Sequence, residues 1–370
     1  MGKNSEFRIA CVPGDGIGPE VIAAARAVAA AALGRTGGAS LSYDEVRAGA
    51  TLYKETGKDI DDDGMDRCDK ADAILLGAIG LPSIRYPDGT EISPHLRMRD
   101  RFGLFAGVRP VKAFPNVKLY LADPRSAQID MVILRESTEG LFYSHGKGEV
   151  IDDEEARETL RITRPTCEAL FDFAFDLARR RKARGRPGKV TCVDKANVFR
   201  SMAFFRKIFD ERAALNPDIA KDYSYVDAQA LFLIRRPWDF DVMVMENMYG
   251  DILSDLAGGL VGGMGMAPCA EIGRSHGLFQ PAHGSAPDIA GQDKANPLAA
   301  VLSIAMMLDW LGHRHGVEKA CEAAGLIDDA VHEGFASGRV RPAEFGGPHG
   351  ASEIARTLVD IVKAGQEKKS

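Results

Sequence analysis

Apolar runs of strand length alternate along this chain with amphipathic segments of helix length, and that alternation constrains the fold more than any single motif. Strand candidates are 7–12, 41–46, 72–77, 105–111, 129–135, 188–193, 223–227, 241–245 and 268–273. Helix candidates are 18–33, 94–102, 164–182, 199–212, 249–261, 296–313, 316–324, 327–335 and 352–364. Elements interleaved in this way pack as an α/β architecture around a largely parallel or mixed sheet. At 370 residues the chain exceeds one ordinary domain, so two are expected, each with its own core.

Charge and cysteine usage narrow the function. A net charge of -6 argues against nucleic acid or an anionic membrane as the main partner. The six cysteines (Cys11, Cys68, Cys167, Cys192, Cys269 and Cys321) show no CxxC spacing. They read as small buried hydrophobes in a reducing compartment, not as a disulfide framework or zinc site. Phe7–Val12 reads as a strand stopping at Pro13-Gly14, not as a signal peptide. The Ala-rich stretch from Val21 to Leu33 is interrupted by Arg26 and is too short to span a bilayer. These features predict a cytoplasmic protein that does not cross a membrane. The basic run Arg179–Arg184 reads as a solvated helix end complementing the helix dipole, and the tail Glu367–Ser370 as a frayed end.

The chemistry concentrates in a few short motifs. In Asn247-Met-Tyr-Gly-Asp-Ile-Leu-Ser-Asp-Leu256, Asp251 and Asp255 are four apart on a predicted helix. They lie roughly 40° apart around the axis and share one face. Two carboxylates so placed are either solvated helix-start acids or oxygen ligands for Mg²⁺ or Mn²⁺. Lys195, just beyond the strand Val190–Val193, is either a surface turn residue or a general base at a ligand-binding strand end. Asp227, in Tyr225-Val-Asp-Ala228, has the same geometry and offers a third carboxylate.

Arg99, Arg109 and Arg135 stand at helix starts or strand ends, where planar guanidiniums clamp carboxylates in bidentate fashion. They suggest an anionic, polycarboxylic substrate, whereas Arg97 and Arg101 read as surface charge. Pro13-Gly-Asp-Gly-Ile-Gly-Pro-Glu20 links the first strand to the first helix through a glycine turn, but it is neither GxGxxG nor a P-loop. The loop from Pro281 through His283 and Asp288 to Asn296-Pro297 opens a helix and offers backbone N–H groups to an anion or nucleotide. There Asp288 can accept both vicinal ribose hydroxyls and repel a 2′-phosphate.

Together these residues resemble the β-decarboxylating 2-hydroxyacid dehydrogenases: the isopropylmalate, isocitrate, homoisocitrate and tartrate/D-malate dehydrogenases. The resemblance runs from about residue 7 to about residue 364. GDGIGPE, Arg99 and Arg109 ten apart, Arg135-Glu136 with Thr138-Glu139-Gly140, DKAN, YVDA, NMYGDILSD and HGSAPDIAG with the following NP carry it. It implies an isopropylmalate dehydrogenase-like fold, with two α/β domains sharing a central mixed sheet, and not a Rossmann fold. By that likeness, residues 1–104 and 262–370 make the NAD-binding large domain. Residues 105–261 make a small domain with the metal and substrate ligands and the dimer interface.

The likeness also implies an oxidative decarboxylation of an (R)-malate-type hydroxy-dicarboxylate (3-isopropylmalate, D-malate or tartrate-like) to a 2-keto acid with CO2 and NADH. Arg99, Arg109 and Arg135 would hold the malate-type carboxylate, with His95 and Leu96 beside the substrate's variable group. Asp227, Asp251 and Asp255 would hold Mg²⁺ or Mn²⁺. NAD would bind through His283, Gly284, Ser285, Ala286, Asp288, Ile289 and Asn296, with Gln280 near the nicotinamide. An obligate homodimer is implied, in which Lys195 and Asp227 complete the partner subunit's site and Lys195 is the base.

Three departures qualify this. The family's tyrosine acid, seven residues after the strand-end arginine, is replaced by Phe142, with Tyr143 one later. On a regular strand that shift faces Tyr143 the wrong way, and a bulge would restore it. The family's glutamate before the P-x-HG element is Gln280 here. His95 stands where isopropylmalate enzymes carry leucine, favouring a smaller or more polar substituent. Phe142 and Gln280 leave a second reading open, a non-catalytic regulatory or ligand-binding homologue.

Overall fold

The computed structural model describes residues 5–365, so the tail from Glu367 lies outside the described residues. The strands are β1 (Ser5–Gly14), β2 (Ala39–Glu45), β3 (Ala73–Ala78), β4 (Ala106–Lys112), β5 (Asp130–Glu136) and β6 (Glu149–Ile151). Six more follow: β7 (Glu155–Arg157), β8 (Lys189–Asp194), β9 (Ala220–Tyr225), β10 (Val242–Met245), β11 (Pro268–Ile272) and β12 (Gly277–Pro281). The helices begin with α1 (Gly18–Thr36), α2 (Ala50–Thr56), α3 (Gly64–Asp69), α4 (Pro94–Arg101), α5 (Arg164–Ala183) and α6 (Arg200–Ala214). They continue with α7 (Val226–Arg235), α8 (Asn247–Leu260), α9 (Leu298–His315), α10 (Glu318–Ala336) and α11 (Ala351–Ala364).

Ten strands form one mixed sheet in the order β2-β1-β3-β12-β11-β4-β5-β10-β8-β9, and β6 with β7 makes a separate hairpin. Pairing is antiparallel along β12-β11-β4-β5 and parallel elsewhere in the large sheet. β3 and β10 are buried throughout, because helices cover both faces of the sheet. Successive side chains on a strand point to opposite faces, so each strand serves two cores. Val132, Leu134, Val242 and Val244 enter the core under α5 and α6, whereas Met131, Ile133, Met243 and Met245 pack with α8 residues Leu253, Ala257 and Leu260. Each such large side chain, fully buried, contributes roughly 1.5–3 kcal/mol.

The sheet has a narrow waist. β4 pairs with β5 over its whole length, but with β11 only through Ala106–Val108 against Ala270–Ile272. Pro110 therefore lies where β4 has a single neighbour, an edge-like position that proline tolerates. On one side of the waist stand β1, β2, β3, β11 and β12, and on the other β4, β5, β8, β9 and β10.

Several expected elements need correction. The strand at 223–227 ends at Tyr225, and Val226-Asp227 instead open α7, a helix absent from the sequence reading. The two helices at 316–324 and 327–335 are one, α10, because Gly325 is carried through mid-helix. β12 was missed: five buried residues between Gly277 and Pro281 insert between β3 and β11. The basic run is anchored, not merely solvated. Arg179 pairs with Asp176 and Asp218, and Arg181 with Asp130 and Asp241, locking the end of α5 to the bases of β5 and β10. All six cysteines are free, and all but Cys321 are buried. Among the described residues, no helix is long and apolar enough to cross a membrane.

Candidate active site

The start of α8 is built around polar side chains that satisfy its free backbone N–H groups. Glu246 caps it, accepting from Met248 N at 3.1 Å and Tyr249 N at 2.9 Å. Asn247 Oδ1 accepts from Arg135 Nε at 2.8 Å, while its Nδ2 donates to the Glu139 carbonyl at 3.0 Å. Gly250 lets the helix approach β5, since a Cβ there would stand 2.6 Å from the Arg135 Cβ. Arg135 can then form an ion pair with Asp251 one turn into the helix. Burial, with Arg99 close by, pulls the Arg135 guanidinium down to about 10.

One turn further, Asp255 Oδ1 lies 3.9 Å from Arg109 Nη1. Burial pushes the Asp255 carboxyl up, Arg109 opposes this, and the charge of Asp251 adds to it. The two acids therefore share a face and repel each other, with arginines beside them. Arg109 is not at a strand edge as expected but within β4, and its side chain reaches Glu271. Arg99, at the end of α4, binds the same Glu271 oxygen at 2.8 Å. Arg99, Arg109 and Arg135 are all buried, as a clamp for a desolvated anion requires, and the Nε atoms of Arg99 and Arg109 have no partner.

Asp227 is not with the other two acids in a single chain. It sits in the first turn of α7, and its Oδ1 accepts from Lys195 Nζ at 2.6 Å. The Lys195 hydrogen bond holds its carboxyl below the usual range. Lys195 itself is presented by a turn that the buried Asp194 fixes, accepting from Ala196 N at 2.8 Å and from Arg206 at 2.7 and 2.8 Å. Among the described residues, one group of three side chains has metal-ligand spacing, Asp309, His313 and Cys321. It is a poor cation site: Arg184 already lies 3.2 Å from Asp309, and burial raises the Cys321 thiol.

The first glycine loop and the His283 loop meet. Ile17 N donates to the Ser285 carbonyl at 2.8 Å, and Gly16, at φ 57°, leaves room for it. Asp15, missed in the sequence, is the buried centre of this junction. It accepts from Ala50 N at 2.7 Å, Thr51 N at 2.8 Å and Gly80 N at 2.8 Å. Ser285 donates to the Gly80 carbonyl, and Ala286 is strained at φ 37°. Gly284 and Asp288 are exposed, Ile289 is half-buried, and the buried His283 Nε2 has no partner. Burial pulls the His283 imidazole below its ordinary range. Gln280 is buried on β12, opposite Cys269. Asn296 ties the start of α9 to the loop carrying Glu344, donating to Glu344 Oε2 at 2.8 Å.

A cleft of about 890 Å³ is lined by residues from both sides of the waist, among them Tyr53, Tyr86, Leu96, Arg99, Ser137, Phe142 and Tyr143. His95 stands behind it on α4 with Nδ1 buried and unpartnered. Burial, with Arg99 adjacent, holds its imidazole down to about 3, so the ring is neutral. The segment carrying Phe142 and Tyr143 is neither a regular strand nor a bulge. It is a short 3₁₀ turn, Leu141–Ser144, in which consecutive side chains diverge by roughly 120°. Phe142 lies 4.8 Å from the Arg135 guanidinium, while Tyr143 is held between Arg161 at 3.7 Å and Lys147 at 4.0 Å. Glu271 was also missed, although an acid inside the apolar run Pro268–Ile272 is itself a signal.

Comparisons with known proteins agree with this arrangement. The family model described as isocitrate/isopropylmalate dehydrogenase matches residues 8–358. A 3-isopropylmalate/3-methylmalate dehydrogenase of Methanocaldococcus jannaschii is 40% identical over 357 residues, covering 96% of this chain and 99% of that protein. A 3-isopropylmalate dehydrogenase of Heyndrickxia coagulans is 39% identical, covering 91% of this chain and 92% of its own. Among solved structures, isocitrate dehydrogenase from Methylococcus capsulatus matches with TM-score 0.82 at 34% identity, covering 96% of this chain and 99% of that one. With two-sided sheet, arginine cluster and paired α8 acids in place, the chain belongs to the isocitrate/isopropylmalate dehydrogenase family and is a decarboxylating dehydrogenase with that family's fold.

Proposed function

We propose that the chain oxidises and decarboxylates a (R)-malate-type dicarboxylate to a 2-keto acid, with NAD⁺ as acceptor and Mg²⁺ or Mn²⁺ as cofactor. The observation that carries this reading is the buried trio Arg99, Arg109 and Arg135 beside the Asp251–Asp255 face. Two repelling carboxylates on one helix face fit a hard divalent cation, with Asp251 and Asp255 as ligands and a third position for an Asp227. The exposed Asp288, the orphaned His283 Nε2 and the loop His283–Ile289 fit the nucleotide. When bound, the cation supplies Lewis acidity at the substrate hydroxyl and NAD⁺ accepts the hydride.

The chain's own residues carry the remaining steps. Arg99, Arg109 and Arg135 orient the substrate carboxylate that will leave as CO2 and exclude water from it. Lys195 Nζ takes the hydroxyl proton. Tyr143 returns a proton to the enol carbon once the C–C bond has broken, since Phe142 carries no hydroxyl. The waist of the sheet supports a discontinuous division into 1–104 with 262–370 and 105–261.

The active form in this reading is a homodimer. Leu231 and Ile234 on α7 and Ile252 on α8 are exposed at 51%, 46% and 60%. These helices also carry Asp227, Asp251 and Asp255, which supports a shared site in which the partner subunit's Lys195 and the partner subunit's Asp227 join this chain's acids. His95, behind the cleft where isopropylmalate enzymes carry leucine, supports a small or polar group on the substrate's third carbon over isopropyl. The test is NADH formation at 340 nm with Mn²⁺ and D-malate, 3-methylmalate, tartrate, 3-isopropylmalate and isocitrate, ranked by kcat/KM. Turnover of a small-substituent malate above isopropylmalate is expected. No turnover on any of them, with substrate binding intact, would favour a regulatory homologue.

A further inference from the structure

The arginine cluster contains an acid for which the proposed reaction has no use. Glu271 is fully buried on β11, directly opposite Gly107 of β4 at the waist of the sheet. Its Oε1 lies 2.8 Å from Arg99 Nη2 and 3.8 Å from Arg109 Nη2. Its Oε2 makes no well-formed hydrogen bond. The neighbouring strand makes room for it: a Cβ at Gly107 would stand 3.1 Å from Glu271 Oε2 and 2.7 Å from Ser137 Oγ. An acid in the middle of a sheet is costly unless paired, so its place here requires the arginines. Burial opposes its charge, but Arg99, Arg109 and Arg135 outweigh burial and hold it below the usual carboxylate range.

Arg99 and Arg109 therefore face the fixed negative charge of Glu271 before any substrate arrives, while Arg135 and Arg109 also face Asp251 and Asp255. With a divalent cation on Asp251 and Asp255, a substrate carboxylate on the clamp would still meet an excess of positive charge. A further carboxylate at the end of the third carbon's substituent, as in isocitrate, meets a field already reduced by one unit. Glu271 acts on the cleft through Arg99, which lines it and whose Nη2 lies 2.8 Å from Glu271 Oε1. Resting on the reading of the cleft as a malate-type site, we propose that Glu271 is a specificity-determining residue that restricts the cleft to dicarboxylates and disfavours tricarboxylates.

The test is equilibrium binding of D-malate and isocitrate to the full chain with Mn²⁺ and without NAD⁺, so that no turnover intervenes. The wild type is expected to bind isocitrate at least about tenfold more weakly than D-malate, given one buried like charge at short range. Glu271→Gln removes the charge at nearly constant shape and should tighten both ligands, isocitrate about tenfold more than D-malate. Glu271→Asp keeps the charge and should keep the wild-type ratio. Equal affinities in the wild type would overturn the proposal even if Glu271→Gln fails to fold. So would a Gln variant that weakens D-malate with the ratio unchanged, which would leave Glu271 only positioning the arginines. Turnover of D-malate by the wild type tests the underlying reading separately, because the binding ratio does not depend on it.

Discussion

Lys195 Nζ and Asp227 Oδ1 lie 2.6 Å apart, joining the end of β8 to the first turn of α7. That contact parks the proposed base on an acid of its own chain, at a surface where a second copy is expected to dock. Lys195→Met should lower kcat by roughly 10²–10⁴-fold, the usual span for a lost general base. The dimer should stay intact by sedimentation. Residual turnover within tenfold of the wild type would remove Lys195 from that role.

Asp255 is half-exposed and its nearest cation, Arg109, is 3.9 Å away, so its oxygens are accessible to a cation from solvent. Asp255→Asn removes one of the anionic ligands and should raise the Mn²⁺ concentration for half-maximal activity by about tenfold or more. Titration of activity against Mn²⁺ in chelator-treated enzyme reads this directly. An unchanged metal requirement would exclude Asp255 as a ligand.

Tyr143 lines the cleft, with Arg161 and Lys147 packed against its ring. Tyr143→Phe should slow enol protonation by about 10²-fold while leaving hydride transfer intact. Comparing the NADH burst with the appearance of the 2-keto acid separates the two steps. Equal rates for both steps in the variant and the wild type would point to water as the acid.

Glu136 supplies a pH signature of stability. It is buried at the end of β5, accepting from Thr138 N at 2.7 Å, Thr138 Oγ1 at 2.6 Å and Glu139 N at 2.7 Å. Burial outweighs those donors and pushes the carboxyl from 4.5 up to about 7. The folded chain therefore holds this proton while the unfolded chain has released it. Stability should fall as pH rises from 4.5 to about 7 and level off above, by roughly 3 kcal/mol for this group alone. Urea denaturation at pH 5 and pH 8 measures it, and Glu136→Gln should flatten the slope. A wild-type slope retained in the variant would assign it to other groups.

Much of the sheet was legible because its strands are buried apolar runs, and apolar runs are visible in one dimension. The Asp251–Asp255 face was legible because helical pitch alone sets it. α7 was not, since Leu231 and Ile234 put apolar residues on its outer side and blur the helical period. β12 was hidden by its brevity between Gly277 and Pro281. The partnership of Glu271 with Arg99 and Gly107 depends on three segments meeting at the waist, which no local pattern reports. Tyr143's direction turned on a 3₁₀ turn where a strand was expected.

The waist also separates parts of the chain that are made at different times. Every strand on the β4–β9 side has been made once residue 245 is synthesised. The first side must wait for β12, which pairs with β3, and for α9, α10 and α11, against which α1 packs. β1, β2 and β3 can pair early, but the second neighbour of β3 and the helices that pack on α1 come last. A nascent chain therefore spends most of its synthesis with the outer face of α1, the side that meets α9, α10 and α11, uncovered.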